Sequence, residues 1–190
     1  MKVLGWILGT LFIIGLGLVI LGFATGATWS SVGNVVKDDE KYGEELTYRY
    51  EASPENIKLS FEQRNVEVIL WDEDYVEMTY HAHEDDIWTF DETEDTLEIT
   101  QRKPLRYRIF SFRFTSPHLL ECRIYLPENV EYTFDIQTTV GLITIAFEEK
   151  TVVESLTLNS TTGAVTLSNL IINEEFSIKT TTGQIDADRV

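Results

Sequence analysis

The segment Phe134–Ala187 contains three copies of one pattern, and this repeat constrains the fold more than any other feature of the chain. The copies read FDIQTTVGLITI, LTLNSTTGAVTL and FSIKTTTGQIDA. Their glycines, Gly141, Gly163 and Gly183, are separated by 22 and 20 residues. Apolar residues alternate with polar ones on both sides of each glycine, which predicts a strand, a turn and a second strand in every copy.

A period close to 20 residues is typical of coils that stack on one another. We therefore predict an all-β fold, a stacked β-solenoid that forms a single right-handed β-helix-like domain. The three glycines are predicted to take a positive φ at the turns, where a side chain would cost energy. The segment NIKLSFEQRNVEVILW, with a turn at Arg64–Asn65, resembles an earlier, degenerate copy. An antiparallel β-sandwich built from separate hairpins remains the alternative.

The N-terminal segment Val3–Ala24 contains 22 residues without a charge. As a helix it would extend over roughly 33 Å, enough to cross the hydrocarbon core of a membrane. Met1 and Lys2 carry positive charge on its N-terminal side, which predicts a single-pass protein of the cell membrane with its C-terminal domain outside the cytoplasm. The expected organisation is an anchor over 1–24, a flexible acidic stalk over 25–45 and a β domain over 46–190. A cleaved signal peptide remains the alternative for the first segment.

The charge of the chain limits its partners. The net charge is −17, from 32 acidic and 15 basic residues. Nucleic acid is excluded as a partner, because phosphate contacts require a basic surface. Cys122 is the single cysteine, so no internal disulfide can form. It alternates with Ile124 and Leu126, which predicts a buried thiol that acts as a small apolar side chain.

One stretch reverses the acidic character of the chain and is our candidate binding strip. The strip comprises Arg102, Lys103, Arg106, Tyr107, Arg108, Phe110, Phe112 and Arg113. Basic side chains that alternate with aromatic ones suit an anionic polymer or a surface of lipid headgroups. The alternative is a structural hairpin whose arginines pair with the acidic surface and whose aromatic rings cover one end of the core.

Nothing in the sequence points to an active site. The chain has no G-x-S-x-G, H-E-x-x-H, P-loop or CxxC motif. His81 and His83 are predicted to share the polar face of a strand, but two imidazoles without a third ligand do not define a metal site. We therefore predict a non-enzymatic protein without metal or cofactor. A polysaccharide lyase or hydrolase is a weaker alternative, which would have to use Asp135, Lys179 and Asp186.

The run YLPENVEYTFDIQTTVGLITI, followed by the two later copies, resembles a bacterial family of unknown function called "putative adhesin". That family includes the Lia-type envelope-stress operon protein of Gram-positive bacteria. The Leu126–Pro127 step and the Ser/Thr-Ser/Thr-Gly turns carry the resemblance, which covers Leu46–Val190. Val140 departs from the pattern, because a Ser or Thr is usual at that place. The resemblance implies a β-solenoid-like domain outside the membrane, without established catalytic residues.

Together these features predict a membrane-anchored, extracytoplasmic protein of the cell envelope that serves as a binding, adhesion or envelope-stress accessory module. Its expected partners are the membrane, through Val3–Ala24, and a cell-wall polymer or an envelope protein. A self-assembling envelope scaffold, which would associate through the exposed last coil at Gln184–Val190, remains a second possibility. The oligomeric state, the ligand and cleavage of the first segment are left open by the sequence.

Overall fold

A computed structural model describes residues 10, 12–17, 20–21, 38–104 and 115–190 of the chain. The chain divides into two compact units, residues 1–38 with 112–114 and residues 39–111 with 115–190. In the first unit, Thr10, residues 12–17 and residues 20–21 are helical and exposed. Among the described residues, no helix is both long and apolar enough to span a membrane. Most of the predicted anchor Val3–Ala24, like most of the predicted stalk, lies outside the residues described.

The second unit is built from β-strands, which confirms the predicted all-β class. Short 3₁₀ helices at Asp39–Lys41 and Pro117–Leu120 accompany the strands. The strands are β1 Tyr42–Tyr50, β2 Asn56–Gln63, β3 Asn65–Trp71, β4 Val76–His83, β5 Ile87–Glu92, β6 Thr96–Arg102, β7 Glu121–Pro127, β8 Tyr132–Val140, β9 Ile143–Thr162, β10 Val165–Ile172, β11 Phe176–Thr182 and β12 Ile185–Asp188. The first strand thus begins within the stretch predicted to be a stalk.

The three repeat copies stack in register, with parallel pairing. In the strands before the glycines, Phe134 pairs with Leu156, and Leu156 pairs with Phe176. In the strands after them, Ile143 pairs with Val165, and Val165 pairs with Ile185. Separate antiparallel hairpins are therefore the wrong description of this segment. The long strand β9 belongs to both series, because its first part pairs with β10 and its second part with β11.

The earlier copy predicted around Arg64–Asn65 joins the same stack. Strand β2 pairs in parallel with β8, and β3 pairs in parallel with the first part of β9. On the other side, β2 pairs with β6 and β3 pairs with β7. The coil formed by β6 and β7 is later in the sequence than the coil of β2 and β3 but lies outside it in the stack. Stacking order and chain order therefore differ in this part of the fold.

Antiparallel strands close the stack beyond the coil of β6 and β7. Strand β5 pairs with β6, β4 pairs with β7, and β1 pairs with β4. The inward-facing apolar residues of the strands from β2 to β10 form one core, in which Ile57, Ile99, Ile136 and Leu158 are fully buried. Burial of such aliphatic side chains contributes roughly 1.5–3 kcal/mol each to folding, so this shared core holds the coils together.

Candidate functional site

The candidate binding strip occupies a distinctive place in the stack. In the coil of β2 and β3, the connection between the strands is the tight corner at Arg64–Asn65, and in the three repeat copies it is a glycine turn. In the coil of β6 and β7, residues 103–120 take the place of that corner. Arg102 is exposed at the end of β6. Arg106, Tyr107, Arg108, Phe110, Phe112 and Arg113 lie outside the described residues.

Both flanks of the strip are hydrogen-bonded to the folded unit. On the first flank, the backbone N–H of Lys103 donates to Glu62 Oε2 at 2.9 Å, and Lys103 Nζ donates to the Tyr42 hydroxyl at 3.4 Å. On the second flank, Ser116 donates from its backbone N–H and its Oγ to the carboxylate of Asp39, at 2.8 and 2.6 Å. The two described flanks of the strip are therefore held by specific hydrogen bonds to the folded unit.

A buried charge cluster lies next to the first flank, and we define it as Arg64, Asp86, Gln101 and His83. The side chains of Arg64 and Asp86 form an ion pair, and both are completely buried. The Asp86 carboxylate also accepts hydrogen bonds from Gln101 Nε2 at 2.7 Å and from the backbone N–H of His83 at 3.0 Å. Buried charges are tolerated when they are paired and hydrogen-bonded in this way.

Aromatic rings cover the guanidinium of Arg64. Its Cζ lies 5.3 Å from the ring centroid of Trp88 and 5.6 Å from that of Tyr42. Lys103 Nζ lies 5.6 Å from the same Tyr42 ring, so Tyr42 joins the buried charge cluster to the flank of the strip. Cation–π contacts of this kind are worth roughly 0.5–2 kcal/mol, depending on how far the cation is removed from water. The cluster therefore makes this corner rigid.

The sequence analysis missed the buried charge cluster. Many acidic residues lie between Asp38 and Glu98, and nothing in their spacing separates Asp86 from its acidic neighbours. A usable signal was Arg64, a basic residue that stands between two apolar strands. Because that arginine is enclosed by the fold, an acidic side chain has to be enclosed with it.

The turn glycines stack directly on one another, and we call Gly141, Gly163 and Gly183 the glycine corner. Each has a positive φ, between 149° and 157°. A Cβ added at Gly141 would lie 1.8 Å from the carbonyl oxygen of Arg64, and one added at Gly163 would lie 1.8 Å from that of Gly141. A Cβ at Gly183 would lie 1.7 Å from the carbonyl oxygen of Gly163. These residues therefore allow the coils to approach closely, and none of their atoms is placed for chemistry.

The sequence analysis predicts that His81 and His83 share a polar face, but the structure buries one of them. The His83 side chain is fully buried, and its Nδ1 accepts a hydrogen bond from the backbone N–H of Asp85 at 3.0 Å. The Nδ1 of His81 lies 3.1 Å from the carbonyl oxygen of Gly43. Within the described part of the chain, no group of three or more His, Cys, Asp or Glu side chains is placed to hold a metal ion.

Cys122 is fully buried in the core, as the alternation with Ile124 and Leu126 predicted. Desolvation raises the pKa of its thiol to about 12, and only the nearby Arg64 acts in the opposite direction. A thiol with such a pKa is protonated at neutral pH and is a poor nucleophile. Burial likewise raises the pKa of the Tyr132 hydroxyl, which donates to the carbonyl oxygen of Pro127 at 2.8 Å.

The residues that a hydrolase or lyase would have to use lie on three different strands. Asp135 is on β8 beside Thr157, Lys179 is on β11 beside Asn159, and Asp186 is on β12 beside Thr166. No pairing among the described strands brings two of the three together. This arrangement gives no support to a catalytic group made of these residues.

A groove of about 770 Å³ lies near the start of β8 and the middle of β9. Leu70, Val130 and Phe147 contribute apolar surface to it. Its acidic residues are Glu128, Glu131, Glu148 and Glu149. Such a surface would repel anions, so it is no competitor of the strip for an anionic ligand.

Comparison with known proteins identifies the class. The family described as Toastrack DUF4097 matches residues 54–190, and the chain belongs to this family. This agrees with the resemblance between the repeat and the bacterial family called "putative adhesin". No curated protein matches the chain.

Two solved structures are similar to the chain. One, from Clostridium sporogenes ATCC 15579, is described as a "putative cell adhesion protein"; it has 12% sequence identity and a TM-score of 0.44, and the match covers 76% of this chain and 99% of that one. The other, from Bacteroides fragilis NCTC 9343, is described as a "putative adhesin"; it has 9% identity and a TM-score of 0.31, with 77% and 98% of the two chains covered.

Proposed function

We propose that this protein is a non-catalytic binding or adhesion module of the bacterial cell envelope, which uses the strip from Arg102 to Arg113 as its contact surface. In this proposal Val3–Ala24 is a single transmembrane anchor and the β domain, a right-handed β-helix, lies outside the cytoplasm of a Gram-positive cell. A role as an accessory of the envelope-stress response, as in the Lia-type protein, fits the same arrangement. The anchor is supported by the 22 uncharged residues of Val3–Ala24 and by the positive charge on its N-terminal side. The β-helix is supported by the parallel pairing of the coils.

One observation carries the proposal: the strip replaces a tight corner of the stack, and both of its flanks are held by Asp39 and Tyr42. A long basic and aromatic insertion is not needed to turn the chain, because Arg64 alone separates β2 from β3 at the equivalent corner. Insertions presented by a rigid scaffold often carry binding functions. The basic side chains suit an anionic wall polymer or an acidic envelope protein, since the rest of the chain is strongly acidic.

The proposal is tested by binding of the full chain, purified in detergent, to isolated Gram-positive cell walls. The test variant changes Arg106, Arg108 and Arg113 to Gln. The matched control changes Lys58, Lys150 and Arg189 to Gln, which removes the same charge from exposed positions outside the strip. We expect the test variant to bind at least about tenfold more weakly than the parent, and the control to bind almost as the parent does. Equal binding by parent and test variant would exclude the strip as the contact surface.

A self-assembling scaffold, which would associate through Gln184–Val190, is the second candidate. Every residue of β12 is exposed, and so are most residues of β11. Growth of the scattering particle with protein concentration would support a scaffold. Release of soluble fragments from wall polysaccharide would instead support the hydrolase or lyase alternative, for which the positions of Asp135, Lys179 and Asp186 give no support.

A further inference from the structure

The groove between the turn from β7 to β8 and the middle of β9 has an apolar floor and an acidic rim, and we call it the acidic groove. Leu70, Val130 and Phe147 contribute the apolar floor. Four exposed carboxylates form the rim: Glu128, Glu131, Glu148 and Glu149. Among the described residues that line the groove, Lys150 is the only basic one. A neighbouring depression of about 540 Å³ shares Val130 with the groove and adds the carboxylates of Glu55 and Glu154.

Interruptions in the strand pairing lie next to the acidic groove. The pairing of β8 with β9 shifts register after Tyr132, and the pairing of β10 with β9 shifts register around Asn169. Asn169 has a φ of 59°, and its Nδ2 donates to the carbonyl oxygen of Phe147 at 2.7 Å. The backbone beside the groove is therefore held in place by a specific contact with the next coil.

The rim carboxylates are not neutralised by their surroundings. Within the described part of the chain, none of the four forms an ion pair or a side-chain hydrogen bond. A concave surface with such an excess of negative charge attracts a basic partner. The described residues include no cluster of ligands that could hold a metal ion. The groove is also longer than a single cation needs, so it suits an extended basic segment that carries apolar side chains.

The strip of this same chain has the complementary character. Residues 102–113 contain five basic and no acidic side chains. Side chains alternate along an extended chain, so Arg106 and Arg108 would lie on one side of it and Tyr107 and Ile109 on the other. An extended strip would therefore set its apolar side on the floor of the acidic groove while its arginines meet the rim.

The strip of one copy cannot fill the groove of the same copy. Its first flank lies at the corner formed by Arg64, and β7 extends about 20 Å from that corner to the groove. Arg108 is four residues from Pro104, so its Cα lies at most about 14 Å from that flank even in a fully extended chain. The groove that the strip can occupy is therefore that of a second copy.

We propose that copies of this protein associate by placing the strip of one copy, from Arg106 to Phe110, in the acidic groove of another. This goes beyond the proposed envelope-binding function and does not require a wall ligand. Because a strip that lies in a groove is covered, self-association and binding to an anionic wall polymer compete for the same basic side chains.

The test measures mass by sedimentation velocity for the full chain in detergent, over a range of protein concentrations. The groove variant Glu128→Lys/Glu149→Lys and the strip variant Arg106→Glu/Arg108→Glu each set like charges against each other at the contact. We expect each variant to associate with a dissociation constant at least about tenfold above that of the parent. An equimolar mixture of the two variants should recover the association, because each strip then meets a groove of opposite charge. Added salt should weaken association of the parent.

The control variant Asp91→Lys/Glu94→Lys makes the same change of charge at exposed positions that neither line the acidic groove nor belong to the strip. It should associate as the parent does, and circular dichroism of every variant checks that the strands are retained. A parent chain that is monomeric at every concentration would overturn the proposal in favour of a basic segment from another protein. A groove variant that associates as tightly as the parent would overturn it in favour of a contact at Gln184–Val190. A folded mixture that fails to associate would also contradict it.

Binding to cell walls separates this proposal from the proposed function. The strip variant should lose both self-association and wall binding, whereas the groove variant should lose self-association and keep wall binding. Loss of wall binding in the strip variant without any loss of self-association would support the proposed function and overturn the contact between strip and groove. The opposite result would support this contact and remove the strip as the surface that binds the wall.

Discussion

The first end of the coil stack and the repeat coils differ in how they are built. At the first end, antiparallel strands, aromatic rings and a buried charge cluster close the core. Tyr48 stacks on Phe90 at 4.2 Å and its hydroxyl donates to Glu92 Oε1 at 2.5 Å, while Tyr80 packs against Trp88. In the repeat coils, parallel strands of like pattern lie on one another in register. The first end is closed by contacts between distant parts of the chain, whereas the repeat coils are joined by pairing between strands of the same pattern.

This difference shows two ways of holding coils together. The repeat coils depend on close approach of backbone at the glycine corner and on ladders of identical aliphatic positions. The first end depends on specific polar and aromatic partners that are far apart in the sequence, such as Arg64 and Asp86. The repeat coils cannot accommodate a side chain at Gly141, Gly163 or Gly183. The first end cannot lose one partner of a buried pair without leaving the other unpaired. Substitutions at three places, the buried charge cluster, the glycine corner and the hydroxyl row beside it, distinguish these two ways.

The largest effect is expected at the first end. Asp86→Ala removes one member of the buried ion pair and leaves Arg64 without its charge partner, which should lower the free energy of unfolding by roughly 3–5 kcal/mol. Urea unfolding of the full chain, followed by tryptophan fluorescence, measures this loss. Asp91→Ala removes an exposed carboxylate from β5 and serves as control, with an expected change of about 0.5 kcal/mol or less. Adding Arg64→Met to Asp86→Ala should recover part of the loss, and a loss below about 1 kcal/mol in the single variant would contradict the burial of this pair.

A smaller but still large effect is expected at the glycine corner. Gly163→Ala places a methyl group 1.8 Å from the carbonyl oxygen of Gly141 and strains the backbone at a positive φ. The cost should be about 3 kcal/mol in the same unfolding measurement. Gly43→Ala is the control, because the nearest atom to its added Cβ is 3.8 Å away. Equal stability of the two alanine variants would show that the coils can separate at the corner.

The smallest effect distinguishes members of the hydroxyl row beside the glycine corner. Thr138 Oγ1 donates to the carbonyl oxygen of Arg64 at 3.4 Å, whereas the buried Oγ of Ser160 has no hydrogen-bond partner in the described part of the chain. Ser160→Ala should therefore change the unfolding free energy by no more than about 0.5 kcal/mol and can raise it. Thr138→Ala should cost about 1 kcal/mol. A cost for Ser160→Ala as large as that for Thr138→Ala would mean that the Ser160 hydroxyl has a partner after all.

Much of the fold could be predicted from the sequence because the repeat is local. Alternation in β2, β3 and β8 to β12, and the three glycines, are visible within a dozen residues and lead directly to parallel coils in register. The site could be predicted only in part. The strip stands out by composition, but its place at a corner of the stack depends on the pairing of β6 with β2 and of β7 with β3, which no local pattern reveals. The same holds for His83, whose burial results from contacts with Tyr42 and Asp85.

The sequence by itself determined the all-β class, the stacked repeat, the buried thiol of Cys122 and the family. These depend on the period of apolar residues and on glycine, which act over a few neighbouring residues. Only the tertiary structure decided that the coil of β6 and β7 lies outside the coil of β2 and β3, and that Arg64 is paired with Asp86. The reason is physical, because burial and charge pairing depend on which distant segments meet in the folded chain. The local sequence around Asp86 does not identify Arg64 as its partner.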